Sequence, residues 1–318
     1  MRRLFELLLS WSASRMSMLR ECPRRFHYHY IASFGGGRSG APPESHAAWL
    51  AKRYTTVAIE VGSFIHATIA NLWQKRIGGG SVDLAREPDA AMEGFVDSVV
   101  SILRGVGDRR FLRDVFGPEL ELAELEEAAI SVGNMMRTFF GLPFVRALIA
   151  NPTPIMTAYL DRDAPEKTHA LGFPAYLKTD LVLRLETGIE IIDWKTGRPN
   201  PKDVAQAEIY DLYVRRAELL PATKPTRVHI VYLRTGHVDT REFREAERTL
   251  ALRQAHEGYL RIWDLFGTQN AACLDPALFP PQPGGHCSGC NFQGLCPDSA
   301  TKQSAAPAAA AIVIEDDF

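Results

Sequence analysis

Two groups of residues in this chain have the types and spacing to do chemistry. The first is Asp193-Trp194-Lys195, the "DWK" that follows the apolar run "IEII", together with Asp180 upstream in "LKTDLVL". Successive side chains on a strand point to opposite faces, so Asp193 and Lys195 project together and Trp194 projects away. A register set by the short "ETG" turn brings Asp180 beside them. Two carboxylates at one end of a sheet repel unless a cation lies between them. Oxygen ligands select a hard ion, Mg²⁺ or Mn²⁺, which keeps some of its waters and also binds phosphate oxygens. An isolated Asp-x-Lys is as readily an ordinary ion pair at a strand end. Here it follows a run that reads as a buried strand, where charge is costly without a compensating partner.

The second group is "CSGCNFQGLC", in which Cys287, Cys290 and Cys296 supply three thiols at the spacing C-x₂-C-x₅-C. A soft metal takes four, and Cys22 in "RECPRRF" is the expected fourth ligand, a pairing that fastens the two ends of the chain together. Four thiolates suit structural zinc or a [4Fe–4S] cluster, and the spacing does not separate them. Cys273 lies outside the pattern and reads as a small buried hydrophobe. Five cysteines in 318 residues are odd in number and too sparse for a disulfide framework, which points to a reducing compartment, the cytoplasm. The opening "MRRLFELLLSWSAS" has a basic-then-apolar order like a signal peptide, but Glu6 interrupts it and no export is expected. No apolar run approaches the ~20 residues needed to cross a bilayer, so a soluble protein is expected. A net charge of −2 gives no global basic field, so any nucleic-acid surface must be local.

The elements that must position these residues follow from periodicity. Residues 14–30 read as a helix capped by Ser14, with Met18 and Leu19 in the core, running into a basic-aromatic stretch. Within it Arg15, Arg20, Arg24 and Arg25 interleave with Phe26, Tyr28 and Tyr30, which suits either a grip on phosphates and bases or a solvated helix face. Residues 35–47 read as a Gly/Pro/Ser-rich loop. Residues 62–76 carry Phe64, Ile65, Ile69 and Leu72 near the period of a half-buried helix, which also carries His66, by itself an ordinary core histidine. A long helical region follows over 89–148, with the acidic "ELELAELEEAA" as its most solvated part. Two β-rich runs around the "ETG" turn make a hairpin. The helix "PKDVAQAEIYDLYVRRAELL" puts Gln206, Tyr210 and Tyr213 on one face, which suits a site or a core equally. "TRVHIVYLRTG" is another strand and "RTLALRQAHEGYLRIWDLF" another helix. The closing "TKQSAAPAAAAIVIEDDF" is too poor in core-forming residues to fold alone.

Six segments in this order, "SRMSMLRECPRRFHYHY", "GSFIHATI", "LKTDLVL", "IIDWKTG", "QAEIYDLY" and the cysteine cluster, resemble the PD-(D/E)xK nuclease superfamily, in particular its RecB-like branch with an iron–sulfur cluster. That branch includes the AddB nuclease domain and the CRISPR-associated RecB-like exonucleases. One departure is Leu177, where the family commonly has glycine three residues before the first aspartate. The resemblance implies an α/β fold: a restriction-endonuclease-like core with a mixed central sheet flanked by helices, an inserted helical region, and a cluster-bearing cap formed by both termini. It implies His66, Asp180 and Asp193 as ligands of Mg²⁺ or Mn²⁺, Lys195 as the residue that positions the attacking water, and Gln206 with Tyr210 as a supporting helix motif near the DNA. It also implies that Cys22, Cys287, Cys290 and Cys296 hold [4Fe–4S] rather than zinc.

The expected organisation is an N-terminal helix with the first cluster ligand (1–34), a linker (35–60), a helical region carrying His66 (61–160), the nuclease core (161–265), the C-terminal cluster segment (266–298) and a disordered tail (299–318). The expected function is a metal-dependent DNA exonuclease, its substrate single-stranded DNA or duplex ends. The alternative is a non-catalytic DNA-binding or complex-forming subunit that keeps the fold. No G-x-x-x-x-G-K-[ST] sequence is present, so an ATP-driven helicase, if used, is a partner. The final "IVIEDDF" loosely resembles the acidic, phenylalanine-ended tips of single-stranded DNA-binding proteins, which suits docking of a repair partner or simple solubilisation.

Overall fold

The structure is a computed structural model and describes residues 2–118, 120–152, 155–160, 166–216 and 225–298. The tail and its "IVIEDDF" lie outside the described residues. The chain opens with α1 (Arg2–Leu8), α2 (Ala13–Glu21) and α3 (Pro23–His27), the last running into a π-helical turn over Tyr28–Ala32. The cap of α2 is Ser12 rather than the expected Ser14. Ser12 has extended backbone and its side chain accepts from the Arg15 N–H at 3.2 Å, whereas Ser14 already lies in the first turn. Cys22 occupies the joint between α2 and α3, with Pro23 opening the second helix.

The expected loop over 35–47 ends in a helix: α4 spans Pro43–Ala51. Its two leading prolines fix φ near the helical value and lack an N–H that the first turn could not have paired. Next come β1 (Tyr54–Thr55) and α5 (Val57–Ile77), which starts earlier than its apolar period indicates because the Thr56 side chain accepts from the Ile59 N–H at 3.2 Å. The helical region continues with α6 (Glu87–Leu103), β2 (Arg110–Phe111), which pairs in parallel with β1, α7 (Leu112–Phe116), α8 (Leu122–Gly141) and α9 (Pro143–Ala150).

The remaining strands are β3 (Ile155–Leu160), β4 (Glu166–Thr168), β5 (Ala175–Leu177), β6 (Leu181–Leu185), β7 (Ile189–Lys195), β8 (Thr226–Tyr232) and β9 (His237–Arg241). Between β7 and β8 runs α10 (Pro201–Arg216), and α11 (Glu245–Phe266) follows β9. Five strands form one sheet in the order β3-β6-β7-β8-β9. The β7–β8 pair is parallel and crosses over through α10, while the other pairs are antiparallel. The fold is therefore the expected α/β type, a mixed sheet flanked by helices. The "YLKTDLVLRL" run is not one strand: it breaks at 178–180, because β5 belongs to a separate hairpin with β4.

Period-2 alternation divides the sheet between two cores. Val182, Ile189, Ile191, Val228 and Ile230 pack with residues of α1, α2, α3, α10 and α11. Leu181, Leu183, Ile192, Trp194 and Val231 pack with α5, α6 and α8. Each such buried side chain contributes on the order of 1.5–3 kcal/mol. Trp194 anchors the second core edge-on to Phe139 and stacked on Phe144, at ring-centroid distances of 5.2 and 6.3 Å. Because Trp194 is committed to that face, Asp193 and Lys195 must emerge on the other.

The two ends of the described chain meet. After α11 a series of short 3₁₀ turns returns to the N-terminal helices, where Arg24 Nε donates to the Phe279 carbonyl at 2.8 Å and the Tyr28 hydroxyl to that of Leu295 at 2.8 Å. Phe26, Phe266 and Phe279 stack between them. Among the described residues no helix is long and apolar enough to cross a membrane.

Candidate active site

The hairpin register pairs Leu181 with Ile192, so Asp180, one residue before β6, comes level with the end of β7. The Trp194 N–H donates to Asp180 Oδ2 at 2.8 Å, and His66 Nδ1 on α5 donates to Asp180 Oδ1 at 2.9 Å. One carboxylate thus ties the end of β7 to the helix that crosses it. With Nδ1 donating to a carboxylate, the neutral form of the ring carries its proton on Nδ1 and its lone pair on Nε2. Burial works against the imidazolium, but the hydrogen bond and charge of Asp180, helped by Asp193, outweigh it and raise the His66 pKa.

Asp193 is buried at 3% exposure. Burial pushes its carboxyl up to about 6, against the pull of Lys195 and with the help of the like charge on Asp180. Lys195 Nζ lies 2.6 Å from Asp193 Oδ2 as an ion-pair partner, yet no hydrogen bond of good geometry reaches that oxygen. That oxygen is charge-compensated by Lys195, and a buried carboxylate so placed also suits a hard cation. Lys195 Nζ instead donates to Gln206 Oε1 on α10 at 2.7 Å, and Gln206 Nε2 donates to the Tyr210 hydroxyl at 2.6 Å. The i, i+4 spacing on α10 makes this relay possible.

His66, Asp180, Asp193, Lys195, Gln206 and Tyr210 all line one cleft of about 750 Å³. Gly62, one turn before His66, lets α5 lie against the turn after β7, where a Cβ would stand 3.3 Å from Thr196 Oγ1. Among the described residues no three His, Cys, Asp or Glu side chains close to the spacing of a complete metal cage. A hard ion of the Mg²⁺ kind does not require one, because it keeps several waters and binds through one or two carboxylates plus substrate phosphates. The donor set fits such an ion.

The sequence reading missed Asp203. It lies on the same face of α10 as Gln206 and Tyr210, with Oδ1 3.8 Å from Lys195 Nζ and Oδ2 accepting from the Tyr232 hydroxyl at 3.0 Å. Burial and this carboxylate push the Tyr232 phenol up to about 12. The signal was present, since Asp203, Gln206 and Tyr210 continue one i, i+3, i+7 stripe.

Cys22, Cys287, Cys290 and Cys296 line a second, small cavity of about 30 Å³ where the two ends of the described chain meet. Cys22 is buried and the other three are partly buried, all as free thiols. Burial raises the Cys290 and Cys296 thiols, with the neighbouring Cys22 adding to the rise. The Gly284 N–H donates to Cys287 Sγ at 3.4 Å. Four thiols on one cavity are the residue types that a soft metal or cluster takes, although among the described residues no three of them close to metal-ligand spacing. Cys273 is buried elsewhere, its Sγ 3.0 Å from the Asn270 carbonyl.

The basic-aromatic stretch divides. Arg15, expected at a nucleic-acid surface, is 6% exposed: its guanidinium donates to the carbonyls of Leu7 and Ser10 at 2.6 and 3.0 Å and stacks on Tyr30 and Tyr176, so it is turned away from any strand outside. Arg24 is half-buried and bound to Phe279, Arg25 pairs with Glu21 at 2.9 Å, and Arg20 is exposed.

Among curated proteins, none matches the chain. The family model of the PD-(D/E)XK nuclease superfamily matches residues 10–297, a span that includes the whole cleft and all four clustered cysteines, and the chain belongs to that superfamily.

Proposed function

We propose that this protein is a metal-dependent DNA exonuclease of the RecB-like, cluster-bearing kind, hydrolysing phosphodiester bonds in the cleft between α5, the end of β7 and α10. The observation that carries the reading is the convergence of His66, Asp180, Asp193 and Lys195 on one cleft, with His66, Asp180 and Lys195 each held by a partner on a different element. His66, Asp180 and Asp193 are the residues to hold Mg²⁺ or Mn²⁺. When bound, such an ion neutralises charge developing on the phosphate and lowers the pKa of its water.

In hydrolysis a water oxygen bonds to phosphorus, the bond from phosphorus to the leaving sugar oxygen breaks, and that oxygen gains a proton. Lys195 is placed to orient the attacking water and to stabilise negative charge on the phosphoryl oxygens. Gln206 and Tyr210 act through Lys195: the amide holds the ammonium and the phenol holds the amide, which limits the rotamers a long lysine side chain samples. Asp180 acts through His66 as well as directly, since its carboxylate fixes the imidazole.

The four cysteines are proposed to hold a [4Fe–4S] cluster in preference to zinc, with a structural role: it ties the segment around Cys22 to the segment around Cys287, forming a cap on the core over 161–265. Support comes from the shared cavity and from the order of motifs. Asp193→Ala and Lys195→Ala test the assignment. Each is expected to abolish DNA cleavage with iron content unchanged, and cleavage retained by either one overturns the assigned site.

A further inference from the structure

Beyond Lys195 the chain turns through Thr196, Gly197 and Arg198, and the first two of these line the catalytic cleft. A second surface cavity, of about 230 Å³, meets this turn through one side chain. Ser131, Asn134 and Met135 of α8 line it together with Leu233 and Arg234, which follow β8. Arg234 Nε donates to the Thr196 carbonyl at 2.6 Å, and its Nη1 lies 3.4 Å from Ser131 Oγ. Both acceptors are neutral, and among the described residues no carboxylate pairs with Arg234, which is exposed. Arg198, also exposed, likewise has no ion-pair partner among the described residues.

Two arginines therefore belong to this turn, Arg198 by its place in the chain and Arg234 by its bond to the Thr196 carbonyl, and neither has an ion-pair partner among the described residues. A guanidinium offers a fork of donors that matches phosphate oxygens, and one already held by a backbone carbonyl loses less freedom when it binds. The hydroxyl of Ser131 and the amide of Asn134, beside Arg234, are the neutral donors that commonly reach phosphate and sugar. Glu127 lines the same cavity and opposes an anion there.

We propose that the nucleic-acid strand whose phosphate reacts in the cleft continues across the Thr196–Gly197 turn, which carries Arg198, into this second cavity, where Arg234 binds its phosphodiester backbone. The inference rests on the nuclease reading and extends it: the cavity is a sequence-independent subsite that sets the register of the strand beside the scissile bond.

The test is equilibrium binding of a labelled single strand and of a blunt duplex across a salt series, in a Lys195→Ala background so that nothing is cleaved. Each lost phosphate contact flattens the plot of log affinity against log salt by about 0.7 on a single strand and about 0.9 on B-DNA. Arg234→Gln is expected to lose one such step, and Arg198→Gln with Arg234→Gln two. The DNA that shows the step identifies whether a single strand or a duplex runs through the subsite. Arg234→Lys should keep the slope, which separates lost charge from lost fold, and Glu127→Gln should tighten binding. Slopes and affinities unchanged in the double variant, with the parent binding DNA in a salt-dependent way, overturn the subsite and leave the nuclease reading standing. A parent that binds neither DNA, in a wild-type protein that cleaves neither, overturns both.

Discussion

Asp180 meets Trp194 across the hairpin: the Trp194 backbone N–H ends on Asp180 Oδ2 at 2.8 Å, while the Trp194 ring lies in the opposite core against Phe139 and Phe144. The same residue that fills the core thus anchors a carboxylate of the cleft. Stability and chemistry are coupled at this pair, and substitutions can separate them.

Asp180→Ala removes the acceptor of the Trp194 N–H as well as a cleft carboxylate. It should cost about 1–3 kcal/mol in denaturant unfolding, the range for an orphaned polar group. Asp180→Asn keeps an acceptor oxygen and should recover most of that stability. Both should lose cleavage by about 10²-fold or more, in the range measured when one preorganised electrostatic group is removed from a site. An active Asp180→Asn enzyme would contradict the placement of charge at this position.

Gln206 touches Lys195 and not the proposed water, so its effect is one of position. Gln206→Leu should lower the single-turnover rate about tenfold, or about 1.4 kcal/mol, with little change in melting temperature or DNA affinity. A change in affinity alone would make Gln206 a binding residue instead.

The hairpin, the sharing of one face by Asp193 and Lys195, and the helix carrying Gln206 and Tyr210 were legible in the sequence because each rests on a local period of 2 or 3.6. The parts that were not legible depend on pairing between distant segments. Nothing local marks β9 (His237–Arg241) as an edge strand or 155–160 as the partner of β6, since both are short and only the sheet selects them. The glycine, proline and serine content of 35–47 reads as a loop and hides α4, because Pro42-Pro43 serves here as a helix start. Arg15 looked like a surface residue by type, and only the packing of Tyr30 and Tyr176 around it shows that it is internal. Counting thiols shows that Cys287, Cys290 and Cys296 lack a fourth partner but leaves Cys22 and Cys273 open, and it is the order of motifs in the resemblance that points to Cys22, which lines the same cavity.

Glu190, on β7 but away from the cleft, governs an acid-limb prediction. Burial pushes its carboxyl up, but hydrogen bonds from His229 and Arg227 outweigh this and lower the pKa below its ordinary 4.5. The folded state therefore holds the ionised form more tightly than the unfolded chain does. Its stabilisation is complete above about 4.5 and is lost as pH falls through the lower folded value. Urea unfolding from pH 6 to 3 should show that loss in wild type and a flatter acid limb in Glu190→Gln. The variant should also be less stable at neutral pH by about 1–3 kcal/mol.

The cysteine site predicts a contrast between two buried thiols. Cys22→Ser should lower iron and acid-labile sulfide in anaerobically purified protein and reduce thermal stability, because it removes a proposed ligand and with it folding energy. Cys273→Ser, outside the cavity, should leave iron unchanged. Stoichiometric zinc without sulfide in wild type would keep the four-thiolate site and refute the cluster.

The most direct measurement is the cleavage of end-labelled single-stranded and duplex DNA by anaerobically purified protein in Mn²⁺, with EDTA and Lys195→Ala as controls. Degradation from an end, abolished by both controls, is the expected result. Cleavage that persists in EDTA or in Lys195→Ala, or DNA bound but left intact by wild-type protein in Mn²⁺ and in Mg²⁺, would contradict it.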